Sequence, residues 1–271
     1  MAILPTESEI LTGNQVQQID DYIGVEHTNS PSLSYLNELI QSFMLKVPFE
    51  NINVQNKVEI DLTLEGLMNK IVLNHRGGFC YEMNTLFKHY LLTKGFRAFN
   101  TSATIVSPKG RSRAGSHMTT IVTIDDARFI ADVGFGDLPI QAIPIGTEQT
   151  YKTVEDVNGT FRAIQINGQI FVQKQVDGTF TTKYEAAIKE QQIADFKENI
   201  EFNQYNSESI FVKQLLITMP TQGGRVTMTH NHVTITEDEQ KKIQTVTKEN
   251  YKAFLNQYFG LDIQIERLED K

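Results

Sequence analysis

Apolar residues recur every three or four positions along the first 95 residues, and that period predicts helices. Val16, Ile19, Tyr22 and Ile23 mark one stripe. Leu33, Leu36, Leu39, Ile40, Phe43 and Met44 mark a second, with Ser30-Pro31 as its cap and first turn and Pro48 ending it. Phe49-Glu50-Asn51 then reads as an irregular connector. Thr63 caps a third stripe carrying Leu64, Leu67, Met68 and Ile71. Met83, Leu86, Phe87, Tyr90 and Leu91 form a fourth, which Gly95 stops. From Phe96 to about Tyr184 the period falls to two. Asp125-Asp126, Asn158-Gly159, Asn167-Gly168 and Asp177-Gly178 punctuate it, and short strands at that spacing predict an antiparallel sheet or a small barrel. After Glu185 come a polar helical stretch, a hairpin over 226–235 and a final helix over about 248–259, with Gly260 in its stop position. The expected organisation is α+β, in units 1–95, 96–190 and 191–271.

Composition narrows the function classes. The chain has 271 residues, enough for two or three closely packed units, and no apolar run long enough to span a membrane. A net charge of −8 argues against a general nucleic-acid or membrane-surface binder. The single cysteine cannot form an intrachain disulfide and excludes zinc sites built from several cysteines. The start, Met1-Ala2-Ile3-Leu4-Pro5-Thr6-Glu7, lacks the basic beginning and apolar middle of a secretory leader, so a cytoplasmic location is expected. Charge is also unevenly placed. No Asp or Glu falls between Met83 and Ile124, while Lys88, Lys94, Arg97, Lys109, Arg111 and Arg113 all do. Lys88 and Lys94 read as solvated helix positions. The cations of the loop before His117 point to an anionic ligand.

The chemistry gathers around Arg76-Gly77-Gly78-Phe79-Cys80-Tyr81-Glu82-Met83-Asn84. Two glycines ahead of an amphipathic helix give a tight turn and place Cys80 in the first helical turn. Unpaired backbone N–H groups there stabilise a thiolate, the nucleophilic form. A free cysteine is also at home in a core as a small hydrophobe, so position alone leaves both roles open. A thiol nucleophile needs an imidazole, and the imidazole needs an orienting group. Residues 115–124 read as a strand containing His117, Asp125-Asp126 as a turn, and residues 128–133 as the returning strand. A hairpin turning there sets Thr119 opposite Asp132 and His117 on the diagonal, about 7–8 Å away at the backbone and on the same face. Other apparent motifs carry less. His230-Asn231-His232 lacks a third ligand, so no metal is expected. Gly134-Phe135-Gly136 lacks the third glycine of a dinucleotide fingerprint. Asn158-Gly159-Thr160 is a glycosylation sequon without secretory context.

Arg76-Gly77-Gly78-Phe79-Cys80, Ser116-His117 and Asp132-Val133-Gly134-Phe135-Gly136 resemble the three signature segments of the arylamine N-acetyltransferases. Residues 47–52 resemble that family's Pro-Phe-Glu-Asn segment. The resemblance implies an N-terminal helical bundle, a central antiparallel β-barrel and a C-terminal α/β lid, in a cysteine-protease-like triad architecture. It implies a triad of Cys80, His117 and Asp132, with acetyl-CoA as co-substrate and no metal. The acceptor would be an arylamine or hydrazine, or the oxygen of an N-hydroxyarylamine, reached by a ping-pong route through S-acetyl-cysteine. Arg111, Arg113, Gly115, Ser116 and Tyr205 are the implied coenzyme contacts, and Phe49 and Phe135 the implied acceptor contacts. Phe43 and Asp137 depart from the family pattern, and Asp137 stands where acceptor preference is open to change. The family also contains amide synthases that act without CoA, and the triad is shared with transglutaminase-like and cysteine-peptidase-like enzymes. Those alternatives stay open on sequence.

Overall fold

The computed structural model describes residues 2–4, 10–238 and 240–270. Met1 and Pro5-Thr6-Glu7, part of the stretch inspected for a leader, lie outside the described residues. The predicted helical stripes form helices that share one core, but their boundaries follow caps that periodicity does not reveal. Gly13–Ile23 starts at a reciprocal cap, in which Thr12 accepts from the Gln15 N–H and the Gln15 side chain reaches back to the Thr12 N–H. Leu33–Met44 is capped by Ser32, whose hydroxyl accepts from the Tyr35 N–H, and not by Ser30. Both serines precede the apolar stripe, and it is Ser32, directly before the first helical residue in extended conformation, whose hydroxyl reaches the third helical N–H. The third stripe begins as expected at Thr63, then widens into a π-helical turn over Met68–Leu73.

Cys80–Thr93 runs through the middle of this bundle with ten of its residues buried. Its far end is fixed by charge. Asp20 accepts hydrogen bonds from Tyr90 Oη and from Lys94 Nζ, the latter at 2.6 Å. Lys94 is therefore 5% exposed, not the solvated position expected. A buried ammonium is tolerated where a carboxylate compensates it, and this one comes from 74 residues earlier in the chain.

Seven strands close a barrel: Arg97–Ser107, His117–Ile124, Ala127–Ile130, Ile143–Gly146, Gly159–Ile166, Gln169–Val176 and Thr179–Ala186. Closure comes from Tyr184 pairing with Ile105 and Ala186 with Ala103. The pairing is antiparallel except between Ile143–Gly146 and Gly159–Ile166, which run parallel. The predicted turns hold the barrel strands together. Asp125, Asn167 and Asp177 take φ near +50°, the left-handed region that Asn and Asp tolerate. Inside lie Ile121, Ile130, Phe161, Val172 and Tyr184.

The C-terminal part is a five-stranded sheet covered by Tyr251–Phe259, which ends at a left-handed Gly260. Its first strand is Phe49–Glu50, paired with Thr218 and Ile217. Phe49-Glu50 is thus not an irregular connector. No local pattern announces this strand, because its partner lies some 170 residues downstream. No helix among the described residues is long and apolar enough to cross a membrane.

Candidate active site

Glycines 77 and 78 are needed for close packing, since neither has positive φ and neither makes the tight turn expected of them. A Cβ on Gly77 would lie 1.8 Å from the Pro48 carbonyl oxygen, and one on Gly78 2.7 Å from Glu82 Cβ. Only bare backbone lets residues 48–50 run beside the approach to the helix, where the Glu50 N–H donates to the Gly78 carbonyl. Phe79 is the extended residue before the helix, and Glu82 Oε2 accepts its N–H at 3.1 Å. Behind these backbones sits a buried charge cluster. Lys70 binds Glu82 at 2.6 Å, and Arg76 binds Glu50 at 2.7 Å. Burial raises Glu82 despite Lys70, with Glu50 adding to the rise. For Glu50 burial is outweighed by Lys70 and Arg76, which hold its carboxyl low. Cys80, 3% exposed, opens the helix above this frame.

The hairpin register predicted for His117 and Asp132 is observed. Ile124 pairs with Ala127 across the turn and Ile121 with Ile130, while the Ala131 N–H donates to the Thr120 carbonyl. Extended two more residues, that register brings His117 Nε2 within 2.6 Å of Asp132 Oδ2. Cys80 lies close enough to the imidazole to favour its protonated form. With Nε2 occupied, Nδ1 is the nitrogen left to meet the sulfur. The three side chains come together in a dry environment, with His117 and Asp132 only 2% and 4% exposed.

Asp132 is held by more than histidine. Its Oδ1 accepts from Asn84 Nδ2 at 2.9 Å and from the Gly134 N–H at 2.9 Å. Asn84 also donates to the Met118 carbonyl and accepts from the Val133 N–H, so it fastens the hairpin to the helix. Sequence analysis gave Asn84 no role. The signal was available, because residues four apart share a helix face and Asn84 is four after Cys80. Gly134 must be glycine, since a Cβ there would fall 2.8 Å from both Asn84 Nδ2 and Cys80 Cα. Tyr184 was also missed. Its hydroxyl lies 3.0 Å from Thr119 Oγ1, and its ring centroid is 5.1 Å from that of His117.

These contacts set the charge state. Burial opposes a charged His117, but the Asp132 carboxylate, the bond to it and the nearby Cys80 prevail and raise it to about 10. Burial likewise opposes ionisation of Asp132, and His117, Asn84 and the Gly134 N–H override it and hold the carboxyl low. The linkage has a definite sign. The histidine's share of stability is complete below its unfolded value of about 6.5 and is lost as pH rises to about 10. The aspartate's share is complete above about pH 4 and is lost as pH falls. The melting-temperature advantage of wild type over Asp132→Asn should therefore be widest between about pH 4 and 6.5 and shrink toward pH 10. An advantage that stays constant from pH 5 to 10 would mean that the pair does not exist in the folded protein.

The remaining predicted residues fall in three places. Gly115 and Ser116 line the loop that enters the histidine strand. Gly115 is left-handed (φ 69°) and its carbonyl accepts from the Tyr81 hydroxyl at 2.8 Å, while Ser116 Oγ accepts from the Ile105 N–H. Arg111 and Arg113, the cations read from the sequence as pointing to an anionic ligand, each hold a carboxylate. Arg111 pairs with Glu185 at 2.6 Å and Arg113 with Glu198 at 3.0 Å. Arg113 also lies over the Phe202 ring, and with Glu198, Glu201, Phe202, Tyr205 and Asn206 it lines a surface cavity of about 610 Å³. Phe135, half-buried, stands edge-on to His117 with centroids 5.2 Å apart. Phe49 is buried against Phe211. Asp137 is held low by Lys174 and Lys183 at 2.8 and 3.0 Å, against the opposing effect of burial. His230 and His232 flank the tip of the hairpin formed by Gly224–Thr229 and His232–Glu237. Among the described residues no group of three or more His, Cys, Asp or Glu side chains is suited to hold a metal ion.

Comparison with known proteins gives a consistent result. A family model described as N-acetyltransferase matches residues 32–268. The chain is 25% identical over 262 residues to human arylamine N-acetyltransferase 1, covering 87% of this chain and 90% of that protein. It is 28% identical over 229 residues to the arylamine N-acetyltransferase of Escherichia coli, covering 80% and 78%. An arylamine N-acetyltransferase structure from Bacillus cereus, described as having a Cys-His-Glu triad, superposes with a TM-score of 0.84 at 24% identity, covering 93% of this chain and all of that one. One from Mycobacterium marinum in complex with CoA superposes with a TM-score of 0.85 at 22% identity, covering 94% and 97%.

Proposed function

We propose, for a chain that belongs to the arylamine N-acetyltransferase family of acyltransferases, that acetyl passes from acetyl-CoA to Cys80 and then to an arylamine, an arylhydrazine or an N-hydroxyarylamine. The observation that carries this is the buried contact of His117 with Asp132 at 2.6 Å, beside the only cysteine at the head of a helix. In the first half-reaction the Cys80 thiolate attacks the thioester carbonyl, a new C–S bond forms, the bond to CoA breaks, and CoA leaves as its thiol with the His117 proton. Exchanging one thioester for another is nearly balanced, so the site needs little driving force. In the second, a neutral amine attacks the acetyl carbonyl, His117 Nδ1 takes its proton, and Cys80 leaves as thiolate beside imidazolium again. Aromatic amines are uncharged at neutral pH, whereas alkyl amines are mostly protonated and lack the attacking lone pair.

The N–H groups at the helix start, that of Cys80 first, face the developing oxyanion. Phe135 receives the acceptor ring, with Phe49 behind it. The coenzyme enters past Gly115 and Ser116, and its phosphates reach Arg111, Arg113 and Tyr205. Those phosphates must displace Glu198, whose exposed pair with Arg113 contributes about 0–1 kcal/mol, and Glu185, which is largely buried and costs more to uncouple. A lone thiolate of this kind suits a reducing cytoplasm.

The deciding experiment is incubation with acetyl-CoA alone followed by intact-mass measurement. The protein should gain one acetyl group, release one CoA, and return to its starting mass when an arylamine is added. A mass that never changes would remove acetyl transfer and favour an amide synthase or a peptidase-like reaction.

A further inference from the structure

Phe135 lies in a stretch, residues 131–142, that belongs to no helix or strand. Something other than a sheet ladder must hold that ring beside His117. Part of the answer is local: Asp132 and Asn84 take the N–H groups of Gly134 and Val133. The other side of the segment is held from far away. Gly136 is in the left-handed region (φ 90°), and its carbonyl accepts from Nη1 of Arg225, on the strand Gly224–Thr229 of the C-terminal sheet. The same guanidinium donates from Nη2 to Asn158 Oδ1 at 2.9 Å and from Nη1 to Thr218 Oγ1 at 3.2 Å. Asn158 begins the turn into a barrel strand, and Thr218 lies on the neighbouring strand of the sheet.

One planar side chain therefore joins the barrel, the acceptor segment and the C-terminal sheet. Arginine suits this task because its donors sit in a rigid fork, and a charged donor makes a stronger bond to a carbonyl than a neutral one. Burial works against its charge and lowers the guanidinium somewhat, and the nearby Asp137 and Asp156 offset part of that cost. The spot it grips is close to both acceptor rings. A Cβ on Gly136 would lie 3.0 Å from Thr218 Cγ2 and 3.9 Å from Phe49 Cγ, and Phe135 is the residue before it.

We propose that Arg225 is a positioning residue for the acceptor: by holding the Gly136 carbonyl it sets the Phe135 ring relative to His117 and so governs arylamine binding in the second half-reaction. The hydrogen bonds of Arg225 go to Gly136, Thr218 and Asn158, and none among the described residues goes to Cys80, His117 or the coenzyme loop, so loading of Cys80 should not depend on it. This inference rests on the acetyl-transfer reading.

The experiment separates the half-reactions in wild type, Arg225→Met and Arg225→Lys. Loading by acetyl-CoA is followed by intact mass in a single turnover. The acetyl-enzyme is then discharged by water alone or by a titrated uncharged arylamine such as 4-methoxyaniline. Loading and discharge by water should stay within about twofold of wild type. The arylamine KM should rise about tenfold in Arg225→Met, since a displacement of about 1 Å at a positioning group can cost up to about a hundredfold. In Arg225→Lys, which can keep one of the three acceptors, it should rise about threefold. Maximal turnover at saturating amine should change little in either. A wild type that takes no acetyl removes the acetyl-transfer reading and this inference with it. With a wild type that loads normally, an unchanged arylamine KM, equal loss of loading and discharge, or failure of both variants to fold would each overturn the role of Arg225 alone.

Discussion

Cys80→Ser should fold like the wild type and transfer no measurable acetyl. The two side chains are close in volume, and the imidazolium Nδ1–H of His117 can donate to the new hydroxyl oxygen, so the buried position gains no orphaned acceptor. The stability change should stay within about 1 kcal/mol. Activity should fall by about 10⁴- to 10⁶-fold, as when the nucleophile of a hydrolytic triad is removed. The reason is chemical. His117 is held as imidazolium by Asp132, and an imidazolium offers no base to take the proton of a serine hydroxyl. Melting temperature, single-turnover mass and steady-state rate should be measured on one preparation. Turnover above trace levels with a normal melting curve would end the assignment of Cys80 as acetyl carrier.

Asp132→Asn should cost about 10⁴-fold in kcat/KM, the scale of the corresponding change in a serine protease. Here the hydrogen bonds dictate how the amide must turn. At the Oδ1 position the carboxylate accepts from Asn84 Nδ2 and from the Gly134 N–H, and both are donors. An asparagine must place its carbonyl oxygen there, which aims its NH₂ at His117 Nε2. That nitrogen then has to accept, and the ring proton moves to Nδ1, the side facing Cys80. The imidazole can no longer take a proton from the amine, and the charge that stabilised imidazolium is gone as well. The variant should load slowly, discharge slowly and keep its fold. A loss under tenfold would make Asp132 a structural residue.

Several features of the site could be read before any coordinates, because they depend on local chemistry. A glycine pair ahead of an amphipathic stripe places Cys80 at a helix start. A turn at Asp125-Asp126 fixes strand parity, and parity alone puts His117 and Asp132 on one face. Asn-Gly and Asp-Gly turns mark where the barrel strands reverse. The same local logic misassigned what depends on contact. Lys94 looked like a solvated helix position and is a buried ion-pair member. Gly77 and Gly78 looked like turn residues and are points of close approach, by the Pro48 backbone and the Glu82 side chain.

The triad of Cys80, His117 and Asp132 was implied by resemblance; by itself the sequence determined the order of most elements, the place of Cys80 at a helix start and the strand parity that puts His117 and Asp132 on one face. Each follows from periodicity, turn geometry or the field at a helix end, which act over a few residues. Only the tertiary structure decided what holds those side chains in place. Asn84 meets Asp132 across 48 residues, Arg225 meets Gly136 across 89, and Asn51 fastens the Phe211, Gln214 and Leu216 backbone across some 160. Phe49-Glu50 becomes a strand only when residues 217–218 arrive beside it. A hydrophobic pattern records which face is buried and not what it is buried against, so these contacts leave no periodic trace, and their chemistry exists only once distant segments are packed together.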